Sequence, residues 1–270
     1  MTHEPAPHGV PPDPWDDLRA HTQARLALGR AGAALPTAEL LRFGLAHAQA
    51  RDAVHIPLDA EALATQLQAQ GCATLPVHSA APDRATYLLR PDLGRRLSDA
   101  DAQALRESSA NGTTPIDLLL VAADGLSSLA VARQTPPLID AIRQQAPEGW
   151  QLGPVVIAQQ ARVALGDEVG ALLGARLVAV LIGERPGLSS PDSLGIYLTW
   201  HPQVGRNDAQ RNCISNVRPE GLPPAAAAAR LWWLCQEARQ LGLTGVGLKD
   251  RSDGMTLVAG SSHQISDRSG

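Results

Sequence analysis

At 270 residues the chain is long enough to bury one large core or two modest ones. Its hydrophobic content of 44% marks a globular sequence, and an aromatic content of 3% leaves Ala, Leu and Val to build the core. A net charge of -4 with no long basic run argues against nucleic acid or an anionic membrane surface as the main partner. No stretch approaches the roughly 18 consecutive apolar residues of a membrane span. The opening Met1-Thr-His-Glu-Pro-Ala-Pro lacks the charged and apolar blocks of a secretory signal. Cys72, Cys213 and Cys235 are too few and too poorly spaced for a disulfide framework or a zinc knuckle. The expectation is a soluble, intracellular chain. Lys249 is its single lysine, which together with the heavy use of Ala reads as coding bias.

Residues 1–14 are Pro-rich, with His3 and His8 interspersed, and read as a disordered N-terminal segment. Residues 15–110 form an expected helical N-terminal domain. Asp16 and Asp17 precede Leu18 and Leu26, and Thr37 is placed to cap a helix with Leu41, Leu45 and Ala48 on one face. Asp59 caps another helix, with Leu63 and Leu67 at i, i+4, and Ser98 with Asp101 resembles a capping box. The period changes after Asn111-Gly-Thr-Thr-Pro. Residues 111–249 then alternate strands with helices, which predicts an α/β domain around a Rossmann-like, doubly wound parallel sheet.

Within that domain Ile116–Val121 is the first expected strand. Thr135-Pro-Pro-Leu opens a helix reaching about Gln145, because Pro suits a first helical turn. Pro154–Ala158 is the second strand, followed by a helix from Gly166 to Leu173 that Gly174 stops. Leu177–Ile182 is the third, a continuous apolar run of the kind buried on both faces of a sheet. Leu194–Trp200 and Asn212–Asn216 are the fourth and fifth, and Pro223–Leu241 is a long helix ended by Gly242. Residues 250–270 read as a flexible tail.

Three loops then fall at the carboxyl edge of one sheet: Asp124-Gly-Leu-Ser-Ser128, Glu184-Arg-Pro-Gly187 and Cys213-Ile-Ser-Asn216. Ligands of open α/β sheets bind at such an edge. A dinucleotide is disfavoured, because the first strand runs into Asp124 and one glycine rather than a G-x-G-x-x-G turn. Ser127 and Ser128 lack the G-x-S-x-G elbow of a hydrolase nucleophile. Cys213 reads either as a reactive thiol or as a small packing residue. A corrinoid remains open, since its neutral amide edges want acceptors such as Glu184. Corrinoid proteins that ligate cobalt through a histidine carry Asp-x-His-x-x-Gly after the first strand. Leu126 stands at that histidine position, so a corrinoid here would keep its own base on the metal.

These loops and their flanks resemble the small subunit of adenosylcobalamin-dependent ethanolamine ammonia-lyase. The blocks that carry the resemblance include Arg30-Ala-Gly32, Leu40-Leu-Arg-Phe43, Leu89-Arg-Pro-Asp-Leu-Gly-Arg-Arg-Leu97 and Asp124-Gly-Leu-Ser127. They continue with Arg162-Val163, Gly183-Glu-Arg-Pro-Gly-Leu188, Asp192-Ser-Leu194 and Cys213-Ile-Ser-Asn216, so that the likeness runs from about Trp15 to Leu248. The resemblance implies a chain that contributes no catalytic residue. A larger subunit holds ethanolamine, and the small subunit closes over base-on adenosylcobalamin. Homolysis of the cobalt–carbon bond then starts a radical deamination to acetaldehyde and ammonia. Val163, Glu184 and Cys213 match family cofactor contacts, and Asp124 and Arg185 join them because their loops are expected alongside. Arg95-Arg96 fits either a solvated helix edge or a grip on an acidic groove of the large subunit. The implied location is cytoplasmic, with a bacterial microcompartment left open because the N-terminal extension is short. A corrinoid carrier or shell-associated scaffold without turnover, and a stand-alone nucleotide-dependent enzyme, are the competing readings.

Overall fold

A computed structural model describes residues 15, 17–18, 21–22, 24–30, 32–110 and 115–252. The expected disordered N-terminus, the Asn111–Thr114 link and most of the expected tail lie outside these residues. Among the described residues seven α-helices surround one six-stranded sheet with the order β1-β3-β2-β4-β5-β6. The strands are β1 (Thr74–His78), β2 (Ile116–Ala123), β3 (Leu152–Gln159), β4 (Ala175–Gly183), β5 (Leu194–Trp200) and β6 (Arg211–Val217).

β2 and β4 occupy the centre, and all eight residues of β2 are buried, as a strand covered on both faces requires. One face packs under α2 (Ala60–Ala69), α5 (Ser128–Gln144) and α7 (Pro224–Leu241) through Leu118, Leu120, Leu177 and Leu181. The other packs under α4 (Asp99–Ala110) and α6 (Leu165–Leu172) through Leu119, Val121, Val178 and Val180. On the first face Trp232 donates its indole N–H to the Ile142 carbonyl at 2.8 Å and meets Trp150 edge-on.

The expected parallel sheet holds for β1, β3, β2 and β4, which pair parallel throughout. It fails beyond them, because β5 runs antiparallel to β4 and β6 antiparallel to β5. The reason lies in the connections. A parallel return needs a crossover of about a dozen residues or more. Glu184–Ser193, with no helix in it, joins β4 to β5, and a short loop joins β5 to β6. The sheet is therefore mixed; the expected strand Asn212–Asn216 forms within β6, so Cys213–Asn216 belongs to that strand rather than to an edge loop.

The N-terminal region also departs from an all-helical reading. Thr74-Leu-Pro-Val-His78 forms β1 on the sheet's edge, where Pro76 costs no central hydrogen bond. Among the described residues before Thr37 there is no α-helix. The caps at Asp59 and Ser98 form: Asp59 accepts from the Ala62 N–H at 2.9 Å, and Ser98 bonds with Asp101. Leu63 and Leu67 are buried. In α1 (Thr37–His55) the inward face is instead lined by Ala46 and Ala53, while Leu41 and Leu45 are exposed. α5 begins at Ser128, not at Thr135. Ser127 caps it by accepting from the Ala130 N–H at 3.1 Å, and Pro136 and Pro137 lie inside the helix. No helix of the described residues is long and apolar enough to cross a membrane.

Candidate cofactor-binding site

The helices after β2 and β3 leave on opposite faces of the sheet, so the crevice between these two carboxyl ends is where an open α/β sheet ordinarily admits a ligand. Here that crevice is filled from within. Asp124, fully buried, accepts the Gln160 N–H at 2.8 Å and the Ala161 N–H at 2.9 Å. It also pairs with Arg84 of α3 (Arg84–Leu89) at 3.3 Å. Arg84 donates in turn to the Val54 carbonyl at 2.8 Å, which ties the end of α1 to the same brace.

Tyr87 completes the plug. Its ring lies between two guanidiniums, Arg84 at 4.8 Å and Arg162 at 4.6 Å, and its hydroxyl donates to the Ala161 carbonyl. Burial raises the Asp124 carboxyl above its usual range, against the pull of the Ala161 N–H and the Arg84 charge. Asp124 thus has no surface to offer a ligand. It acts through Gly125, whose backbone at φ +55 lies against the Gly183 carbonyl where a Cβ would collide.

The open part of the edge lies over β4 and β5. A concavity of about 200 Å³ is lined by Val163, Ile182, Gly183, Glu184, Arg185 and Tyr197, with Tyr87, Arg162 and the Gly125–Leu126 backbone completing its wall. Glu184 is fixed through one oxygen only. Its Oε2 accepts the Ser193 hydroxyl at 2.5 Å and the Asn216 N–H at 3.3 Å. Among the described residues Oε1 receives no hydrogen bond. It stands 3.1 Å from where a Cβ on Gly195 would be, and the Tyr197 ring stands 3.4 Å from the same point. Gly195 keeps the floor flat so that both side chains can lie across it.

Cys213 reaches this face through the sheet. It is the register partner of Tyr197, is exposed, and has its sulfur 3.3 Å from the Ser215 hydroxyl. The Tyr197 phenol is pushed up to about 12 by burial first, then by the charge and hydrogen bond of the Cys213 thiol beside it, and then by Glu184. Four of the five expected site residues therefore gather on one face: Val163, Glu184 and Arg185 directly, Cys213 by way of Tyr197. Asp124 sits beneath them. Arg95 and Arg96 are exposed and lie outside the concavity.

Tyr87, Gly195 and Tyr197 were not legible as site residues in the sequence. Gly195 alone left a signal, a glycine inside an apolar strand, which marks a close approach by another group. The concavity offers a carboxylate oxygen without a hydrogen bond among the described residues, a phenol and an apolar wall, with the Cys213 thiol beside the phenol. That set suits neutral amide edges. Among the described residues, no group of three His, Cys, Asp or Glu is placed to hold a metal ion.

Comparison with known proteins supplies the family. Residues 12–249 match the sequence model of the ethanolamine ammonia-lyase light chain (EutC). The ethanolamine ammonia-lyase small subunit of Pseudomonas syringae pv. tomato is 54% identical over 262 residues, covering 97% of this chain and 91% of that one. That of Pseudomonas fluorescens strain SBW25 is 54% identical, covering 95% and 93%. The small subunit from Ralstonia nicotianae is 55% identical, with 94% of each chain covered. With the match running through every strand of the sheet and every wall of the concavity, this chain belongs to the ethanolamine ammonia-lyase light-chain family.

Proposed function

We propose that this chain completes the adenosylcobalamin site of an ethanolamine ammonia-lyase whose substrate residues lie on a large subunit. The observation that carries the reading is the placement of Val163, Glu184 and Cys213 on one face, with Glu184 Oε1 left to accept a hydrogen bond. The residues fit the group. A corrinoid is edged by amides, and the concavity presents an acceptor in Glu184, a phenol in Tyr197 and apolar surface in Val163 and Ile182, with the Cys213 thiol beside Tyr197 on the same face. Its volume of about 200 Å³ is below the roughly 300–1,000 Å³ of a self-sufficient ligand pocket. This chain would therefore hold one edge of the cofactor and leave the remainder to the partner subunit.

When bound, adenosylcobalamin supplies hydrogen abstraction through homolysis of its cobalt–carbon bond. The tasks of this chain are orientation and exclusion of water. Ser193 and the Asn216 N–H hold Glu184 through Oε2 at the wall of the concavity, which spares the side chain the entropy of ordering on binding. Val163 and Ile182 keep that wall dry. Leu126 offers no imidazole from this loop, so the residues of this chain would hold the cofactor by its amide edge. Residency in a bacterial microcompartment would depend on N-terminal residues outside those described.

The test is reconstitution. Acetaldehyde formation from ethanolamine and adenosylcobalamin is expected only when this chain and its large subunit are mixed. Glu184→Ala should weaken cobalamin binding by the assembled enzyme about tenfold, the cost of one hydrogen bond to a charged group, and leave the ethanolamine KM nearly unchanged. An unchanged cofactor titration with a raised ethanolamine KM would sink the assignment.

A further inference from the structure

α6 is eight residues long, starts after Ala164 without a side-chain cap, and carries Val163 just ahead of its first turn. Two glycines seat it on the sheet. A Cβ on Gly166 would collide with Val180, and one on Gly170 would stand 2.6 Å from Pro202 Cγ. Such seating sets the height of the helix above the sheet. Apolar contact is non-directional, however, and does little to fix sliding along the helix axis.

A buried polar joint does fix it. Asp167 and Arg211 form a bidentate pair at 2.6 and 2.7 Å, with both side chains 1% exposed. Arg211 also donates to the Thr199 hydroxyl and to the Arg206 carbonyl, each at 2.9 Å, and its Nε lies 3.5 Å from Asp208. Asp167 follows Val163 by one helical turn, and Arg211 precedes Cys213 by two residues on β6. The joint thus connects the helix that follows Val163, in the wall of the concavity, to the strand bearing Cys213, the register partner of Tyr197 in that wall.

Stability alone does not explain it. Burying two charges is costly, and an apolar pair of similar volume is commonly as stable or more so. What the bidentate geometry adds is direction. We infer that the Asp167–Arg211 pair is a positioning device for the cofactor edge, setting the offset between Val163 and Cys213. The inference rests on the cobalamin reading above, and it gives neither residue a contact with the cofactor.

The test uses the light chain assembled with its large subunit and titrated with adenosylcobalamin, binding being followed by absorbance and equilibrium dialysis. The double variant Asp167→Leu/Arg211→Met replaces the joint with apolar groups. It is expected to unfold at or above the wild-type temperature, to keep the ethanolamine KM, and to bind cobalamin about tenfold more weakly. Thr199→Val removes a hydroxyl that accepts from Arg211 and bonds to Asp167, while keeping the shape and the ion pair, and a weakening of about two- to threefold is expected. A folded double variant with wild-type cofactor affinity overturns the proposal. If the double variant does not fold, Thr199→Val decides, and an unchanged titration there overturns it equally. Wild type and Glu184→Ala are run in parallel. Failure of the wild-type complex to bind cobalamin removes the cofactor reading and this inference together, whereas failure confined to the joint variants removes only the inference.

Discussion

Tyr87 and Tyr197 are the only tyrosines in the chain, and both line the same concavity. Each is held near 12 rather than at the ordinary 10, chiefly by burial. Below the ordinary value both folded and unfolded chains keep the proton, so neither residue adds pH dependence. Between about 10 and about 12 the unfolded chain ionises first, and stability falls as pH rises through that window. Alkaline titration followed by tyrosinate absorbance should accordingly show no transition at pH 10 while the fold persists. The signal should rise together with loss of the helical circular dichroism. A separate tyrosinate step at the ordinary value, with the fold intact, would mean that at least one phenol is open to water. Neither ring was legible as a site residue in the sequence, since a lone tyrosine beside Thr86 or Ile196 looks the same whether it packs, plugs or lines.

At the scale of elements, the helices differ in how closely they approach the sheet, and glycine records the difference. Gly166 of α6 faces Val180, a buried side chain with no room to retreat, whereas Gly44 of α1 has nothing within 4 Å of the position its Cβ would take. Gly166→Ala is expected to cost about 1–3 kcal/mol through overpacking. Gly44→Ala should instead stabilise by about 0.5–1 kcal/mol, because alanine loses less backbone freedom in a helix. Denaturant unfolding of the two variants checks both signs. The caps at Asp59, Ser98 and Ser127 show how much of an element is local chemistry, since each forms within its own few residues. The start of α5 shows the limit. Pro136 and Pro137 look like a helix opening, yet Ser127 caps the chain earlier and the helix runs through both prolines.

For the whole molecule, the centre and the periphery are built differently. β2 and β4 have neighbours on both edges and helices on both faces, whereas α1 turns alanines inward and leaves Leu40, Leu41 and Leu45 exposed. Native-state hydrogen exchange should find the amides of β2 and β4 opening only with global unfolding, and those of α1 through a cheaper local event. Equal protection in α1 and β4 would contradict that hierarchy. Two ion pairs, Arg84–Asp124 and Asp167–Arg211, are buried in this fold. Removing one partner of either leaves a buried charge unmatched, a loss larger than the net worth of the pair.

The strands β2 to β6 and the helices α1, α2, α4, α6 and α7 were legible from the chain, as were the Asp124–Ser128 and Glu184–Gly187 loops at the edge. Their signals are local: continuous apolar runs, a capping side chain, a terminal glycine. The family resemblance was legible too, and the light-chain match agrees with it. The tertiary structure alone decided the direction of β5 and β6, the membership of β1 in the sheet, and the outward turn of the α1 leucines. It also placed Asp124 below the concavity and Tyr197 within it. Strand direction follows from which neighbour a short connection can reach, and burial follows from what lies opposite a side chain. Both are properties of pairs of segments distant in the chain, so no single stretch of sequence carries them.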